Sequence, residues 1–118
     1  MYKELTTEDL EEQYNNNLDN DSILERVALN YKTPKQILSK LSIHDEKKIR
    51  RAVAANKSTP DEVLELLSQD DSETVRFGLL FNQELETTSK AFQNLLNDES
   101  EKIRNFAIKI LQKGGKGK

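Results

Sequence analysis

Few side chains in this sequence can do covalent chemistry. There is one histidine, His44, and no cysteine. A serine nucleophile would have to use His44 as its base, and disulfides, thiolate metal sites and cysteine nucleophiles are excluded. Carboxylates do come in pairs, Asp70-Asp71 and Asp98-Glu99. Both pairs fall where a helix is expected to begin, and there negative charge suits the helix dipole. The four glycines, Gly78, Gly114, Gly115 and Gly117, make no phosphate-cradling loop, and no run has metal-ligand spacing. Neither catalysis nor a bound metal or cofactor is expected. The remaining candidates are cations. Arg50, Arg76 and Arg104 recur at one position of successive segments. They make either an anion-binding stripe or a structural ladder, each arginine gripping the acidic residue six positions earlier. Asp70 with Arg76 and Asp98 with Arg104 recur together, so the ladder is the expectation, with Arg50 as a further rung.

The elements that must hold these residues repeat along the chain. Laying 19–44 over 45–70 gives ten identities in 26 positions, among them Ile23/Ile49, Val27/Val53, Asn30/Asn56, Thr33/Thr59 and Pro34/Pro60. A third copy starts at Asp71, with Val75, Arg76, Leu79 and Asn82 in register and a turn two residues longer. A final half-copy carries Ile103, Arg104, Ala107 and Ile108. Within each copy the apolar residues fall at i, i+3, i+4 and i+7, the mark of an amphipathic helix. Thr59-Pro60-Asp61-Glu62 and Thr33-Pro34-Lys35-Gln36 then read as capping boxes that start a second helix. Thr6-Thr7-Glu8-Asp9 is a looser version of the same signal. Asn30 and Asn56 suit helix C-caps with positive φ. One such helix pair cannot bury its apolar side alone, so copies stack on a shared core.

The pattern Asp-x-x-x-x-Val/Ile-Arg, then small and apolar residues, Asn, a Thr-Pro turn and Leu-x-x-Leu resembles the leucine-rich repeat variant, a HEAT-like α-solenoid family. The resemblance spans about 19–112 and is densest over 45–70. Two departures stand out: His44 takes the acidic position ahead of Arg50, and the first copy has Leu18 and Leu24 at the acidic and arginine positions. The resemblance implies a right-handed superhelix that binds a partner along one face, with no catalytic residues and no defined ligand.

The expected fold is therefore all-α, a short right-handed solenoid of about three and a half two-helix repeats with a period near 26 residues. Residues 1–112 form one domain. An N-terminal half-repeat (1–18) is followed by repeats at 19–44, 45–70 and 71–98, a C-terminal half-repeat (99–112) and a flexible basic tail (113–118). First helices are placed near 20–30, 46–56, 72–82 and 100–112, and second helices near 34–42, 60–69 and 88–97.

The net charge of −3 is distributed in blocks. Residues 1–25 hold one positive and eight negative charges, and 26–56 hold eight positive and two negative. Residues 57–101 hold three positive and eleven negative, and 102–118 hold six positive and none negative. No stretch approaches the roughly 20 apolar residues of a membrane span. The acidic first residues lack a signal peptide's apolar run, so a cytoplasmic, monomeric protein is the starting expectation.

Where the second copy has Arg51-Ala52-Val53-Ala54-Ala55, the third has Phe77-Gly78-Leu79-Leu80-Phe81. Phe77 and Phe81 lie one turn apart, on one face. They are either repacked, with Gly78 leaving room, or an exposed aromatic anchor of the kind that dominates binding interfaces. With Lys35, Lys47, Lys48 and Arg51 they are the candidate contact residues. The expectation is a non-catalytic adaptor whose partner is another protein. The alternative is a nucleic-acid-associated protein using the basic block 32–51 on phosphate.

Overall fold

Repeated apolar residues three and four apart, as at Ile49, Ala52 and Val53, form the helices of this chain. The computed structural model describes residues 4–114. In order these are α1 (Thr7–Asn16), α2 (Asp21–Leu29), α3 (Lys35–Leu41), α4 (Lys47–Ala55), α5 (Asp61–Leu67), α6 (Glu73–Gly78), α7 (Lys90–Leu96) and α8 (Glu101–Gln112). A 3₁₀ turn, Leu79–Phe81, continues α6. Among the described residues there is no strand. Of the basic tail expected at 113–118, residues 115–118 lie outside the described residues, as do residues 1–3 of the N-terminal half-repeat.

Successive first helices pack side by side, α2 on α4 and α4 on α6, and α5 packs on α7 in the second row. Ile49, Val53, Ala54, Val75 and Leu79 have no exposed surface, and Leu38, Leu64, Leu67, Phe92 and Leu95 close over them from the second helices. One core thus runs through the stack, which measures 42 × 28 × 24 Å.

The helix starts differ from the local expectation. The looser box is the real one: Thr6 Oγ1 accepts from the Asp9 amide at 3.1 Å, and Asp9 Oδ2 accepts from the Thr6 amide at 3.0 Å. Thr33 and Thr59 make no cap. Each hydroxyl donates backwards, Thr33 to the Val27 carbonyl at 2.6 Å and Thr59 to the Val53 carbonyl at 2.7 Å. Those carbonyls belong to the last turn of the preceding helix, where each also accepts the amide of the C-cap asparagine. Pro34 and Pro60 stay extended (ψ 147° and 153°), and α3 and α5 begin one residue later with no side-chain cap.

Asn30 and Asn56 are also corrected. Both end their helices, but with φ −83° and −82°, and no non-glycine residue among those described has positive φ. Each asparagine Oδ1 instead accepts the amide two residues on, from Lys32, Ser58 and, for Asn82, Glu84, at 2.9 Å each. The side-chain amides reach the neighbouring unit. Asn56 Nδ2 donates to the Ala28 and Asn30 carbonyls at 2.8 and 2.9 Å. Asn82 Nδ2 donates to the Ala54 and Asn56 carbonyls, both at 2.9 Å. Each of the three asparagines closes its own turn, and Asn56 and Asn82 also tie down the end of the preceding first helix.

Candidate interaction surface

The arginines form a ladder, but in a different register from the one expected. The side-chain partner comes from the acidic residue that follows. Arg50 is bidentate to Asp70 (Nε to Oδ2 2.8 Å, Nη2 to Oδ1 3.1 Å), and Arg76 is bidentate to Asp98 (2.8 and 3.2 Å). What lies six positions earlier is used through its backbone. Nη1 of Arg50, Arg76 and Arg104 donates to the carbonyls of His44, Asp70 and Asp98 at 2.8, 2.8 and 2.7 Å. Each paired arginine therefore ties the loop before its own helix to the loop after the next one. The hydrogen bonds that Arg50 donates to Asp70 raise its affinity for its proton, and those that Arg76 donates to Asp98 do the same for Arg76. Burial alone would push the Asp70 carboxyl up; the bonds from Arg50 and the Ser72 amide outweigh it and hold the group below the usual range.

This register explains His44. An acid at 44 would face position 24, which is the buried Leu24 and not an arginine. A carboxylate there would lack its cation. His44 keeps the second duty of the position: Nδ1 accepts the Glu46 amide at 2.9 Å, as Asp70 and Asp98 Oδ1 accept those of Ser72 and Ser100 at 2.9 and 2.8 Å. Its Nε2 lies 3.7 Å from Asp21 Oδ1.

The basic block does not form one patch. Arg50 is inside the ladder, Lys32 pairs with Glu4 at 3.0 Å, and Lys40 Nζ lies 6.0 Å from the Tyr14 ring centroid. Lys35 stands apart on α3, its ammonium 3.4 Å from the Ser58 carbonyl. Lys47, Lys48 and Arg51 do come together, lining with Thr74 and Phe77 an open cleft of about 270 Å³ between α4 and α6.

Phe77 lines this cleft, and Phe81 packs on Phe77. Their rings meet edge to face with centroids 5.4 Å apart. Phe77 is half-buried against the core, whereas Phe81 keeps 53% of its surface exposed. A third ring, Phe106 of α8, lies 5.3 Å from Phe77 and 5.7 Å from Phe81, and the Lys102 ammonium sits 4.8 Å from the Phe77 centroid. Sequence reasoning missed Phe106 and Lys102. The signal was present: Phe106 stands in register with Ala52 and Gly78, and a large ring in a small-residue slot needs something to pack on. Gly78 itself does not make room for the rings. A Cβ there would meet Arg51 Cγ at 3.0 Å and the Arg51 carbonyl at 3.3 Å, so the glycine lets α6 close up on α4. At the next junction Phe106 lies on Phe77 instead, and α6 meets α8 through rings.

Residues 48–72, one of these helix-turn-helix segments, match the family model described as leucine rich repeat variant. The matched segment holds the Arg50–Asp70 pair, Asn56 and Thr59, so both ladders pass through it. No curated protein and no solved structure matches the chain significantly. Among the described residues no helix is long and apolar enough to cross a membrane, and no cluster of three or more His, Asp or Glu residues is placed to hold a metal ion.

Proposed function

We propose that this chain is a non-catalytic binding module whose residues 1–112 work as one unit. It takes an acidic protein segment with an apolar anchor on the face made by α4, α6 and α8. The observation that carries this reading is the exposed Phe81, backed by Phe77 and Phe106, beside Lys47, Lys48 and Arg51. An aromatic group that stays half in water is a ready hot spot, and the three cations supply steering and register. Lys35 contributes to a separate corner and not to this face. Phosphate backbone is a poorer fit, because Asp71 and Glu99, 96% and 88% exposed at the side chain, flank the same row of helices.

The test is affinity capture from the native host's lysate, with and without nuclease, comparing wild type with Phe81→Ser and with Lys47→Glu/Lys48→Glu. The expected result is a stoichiometric protein that survives nuclease and is lost with both variants, whose circular dichroism is unchanged. Retention of that protein by both variants refutes the assignment of the face. Material released by nuclease transfers the basic cleft to nucleic acid.

A further inference from the structure

Among the described residues, α2 and α8 expose positions whose counterparts inside the stack are buried. On α8, Ile108 stands in register with Ala28, Ala54 and Leu80, which are 0, 0 and 7% exposed, yet Ile108 is 41% exposed. Inside the stack this position faces the next first helix, as Ala54 faces Gly78. Leu111, 44% exposed, extends the same helix. Arg104 uses Nη1 on the Asp98 carbonyl, while the rest of its fork lacks the carboxylate that Arg50 and Arg76 hold.

Among the described residues α2 packs on a first helix, α4, on one side only. On α2 this leaves a groove of about 520 Å³ beside α1, lined by Leu5, Leu10, Ile23, Leu29 and Asn30 among others, with Arg26 the one cation among the described lining residues. Ile23 is only half-buried where Ile49, Val75 and Ile103 are fully buried, and Leu29 is 56% exposed. Asn30 is the one asparagine of the three whose side-chain amide has no carbonyl partner; only its Oδ1 is bonded, to the Lys32 amide.

The ends match in charge as well as in shape. Residues 102–118 carry six positive charges and no negative ones, and residues 1–25 carry eight negative and one positive. Asp19 is in register with Asp71 and Glu99, the outer acids that lie 3.6 and 3.8 Å from Arg50 and Arg76. We infer that copies of this chain associate head to tail, with α8 of one copy filling the first-helix slot between α1 and α2 of the next. α8 and the second copy's α1 then make a complete helix pair, and Arg104 faces the second copy's Asp19. Such an interface joins two different surfaces, so it propagates unless its rotation closes a ring.

Sedimentation velocity of the 118-residue chain from about 10 µM to about 1 mM, a range that reads modest affinities, tests this. At low salt the weight-average mass should climb above 13.6 kDa without stopping at a dimer. It should fall back at about 0.5 M salt, where exposed charges are screened. Ile108→Lys blocks one end and Leu29→Glu the other. Each alone should remain monomeric, while an equimolar mixture should form dimers of twice 13.6 kDa and nothing larger. Lys109→Glu/Lys113→Glu, at exposed sites, should weaken association about tenfold, one decade or 1.4 kcal/mol. Phe81→Ser should leave it unchanged, which separates this surface from the aromatic face. A chain that stays monomeric at about 1 mM, or a blocked variant that associates like wild type, overturns the inference. So does an equimolar mixture that fails to dimerise although wild type associates.

Discussion

Cutting Arg76 back to alanine removes three hydrogen bonds and leaves a buried anion behind. The guanidinium is 9% exposed and its partner Asp98 is 3% exposed at the side chain. After truncation Asp98 keeps only the Ser100 amide at 2.8 Å, and the Asp70 carbonyl loses the Nη1 donor. Breaking a buried pair from one side costs about 3–5 kcal/mol. The surviving amide bond places this case near the lower figure, about 3 kcal/mol. With an unfolding entropy of roughly 2.1 cal/mol/K per residue, that lowers Tm by about 12 °C. Arg104 is the internal control, since it has the same Nη1 contact and no carboxylate. Arg104→Ala should cost about 1 kcal/mol, the worth of one partly exposed bond. Urea unfolding at low chain concentration measures both. In the double-mutant cycle with Asp98→Ala, a coupling of about 2 kcal/mol isolates the pair. Arg76→Ala within about 0.5 kcal/mol of wild type, or Arg104→Ala as costly as Arg76→Ala, refutes the ladder.

The asparagine ladder gives a parallel comparison. Asn82→Ala should cost about 2–3 kcal/mol in urea unfolding, because it strands two buried carbonyls and the Glu84 amide, whereas Asn30→Ala should cost under about 1 kcal/mol. Asp70 has a lowered folded-state pKa, so its contribution is complete above the ordinary carboxylate pKa and is lost as pH falls through the lower folded value. Urea midpoints should drop as pH falls below about 4, the ordinary carboxylate value, and Asp70→Asn should flatten that slope; an unchanged slope contradicts the pairing. Gly78→Val should destabilise by about 1–3 kcal/mol through overpacking against the Arg51 backbone, read as a lowered Tm. A neutral result would mean that α4 and α6 separate freely.

Much of the architecture was legible because it is encoded locally. The 3.6-residue spacing of Ile49, Ala52 and Val53, repeated around Val75 and Ile103, placed the helices to within a residue or two. The Thr-Pro and asparagine positions marked the corners. The rows that touch across the stack follow from identical units burying identical stripes. What lay outside local reach was the identity of each polar partner. Thr33 and Thr59 carry a capping signature and bond backwards, Asn56 reaches the neighbouring unit, and Arg76 selects Asp98 over Asp70. A polar side chain at a corner has local and non-local partners of similar strength, and burial decides between them. Thr59, 5% exposed, and Asn56, 4% exposed, must both be satisfied inside the stack. The hydroxyl takes the Val53 carbonyl of its own unit, and the amide takes the Ala28 and Asn30 carbonyls of the preceding one.

The aromatic face divides the same way. The residues Phe77 and Phe81, one turn apart on a helix, follow from sequence alone, as does their proximity to one another. Their exposure does not, because it depends on how closely α4 and α8 approach α6. On one side Gly78 lets Arg51 come within van der Waals reach, and on the other Phe106 fills the gap. Composition and periodicity determined that this chain would be a stack of paired helices with charged faces. Only the packing of one unit on the next decided which polar groups are consumed inside the stack and which rings and cations remain outside it, because that division depends on distances between segments twenty or more residues apart.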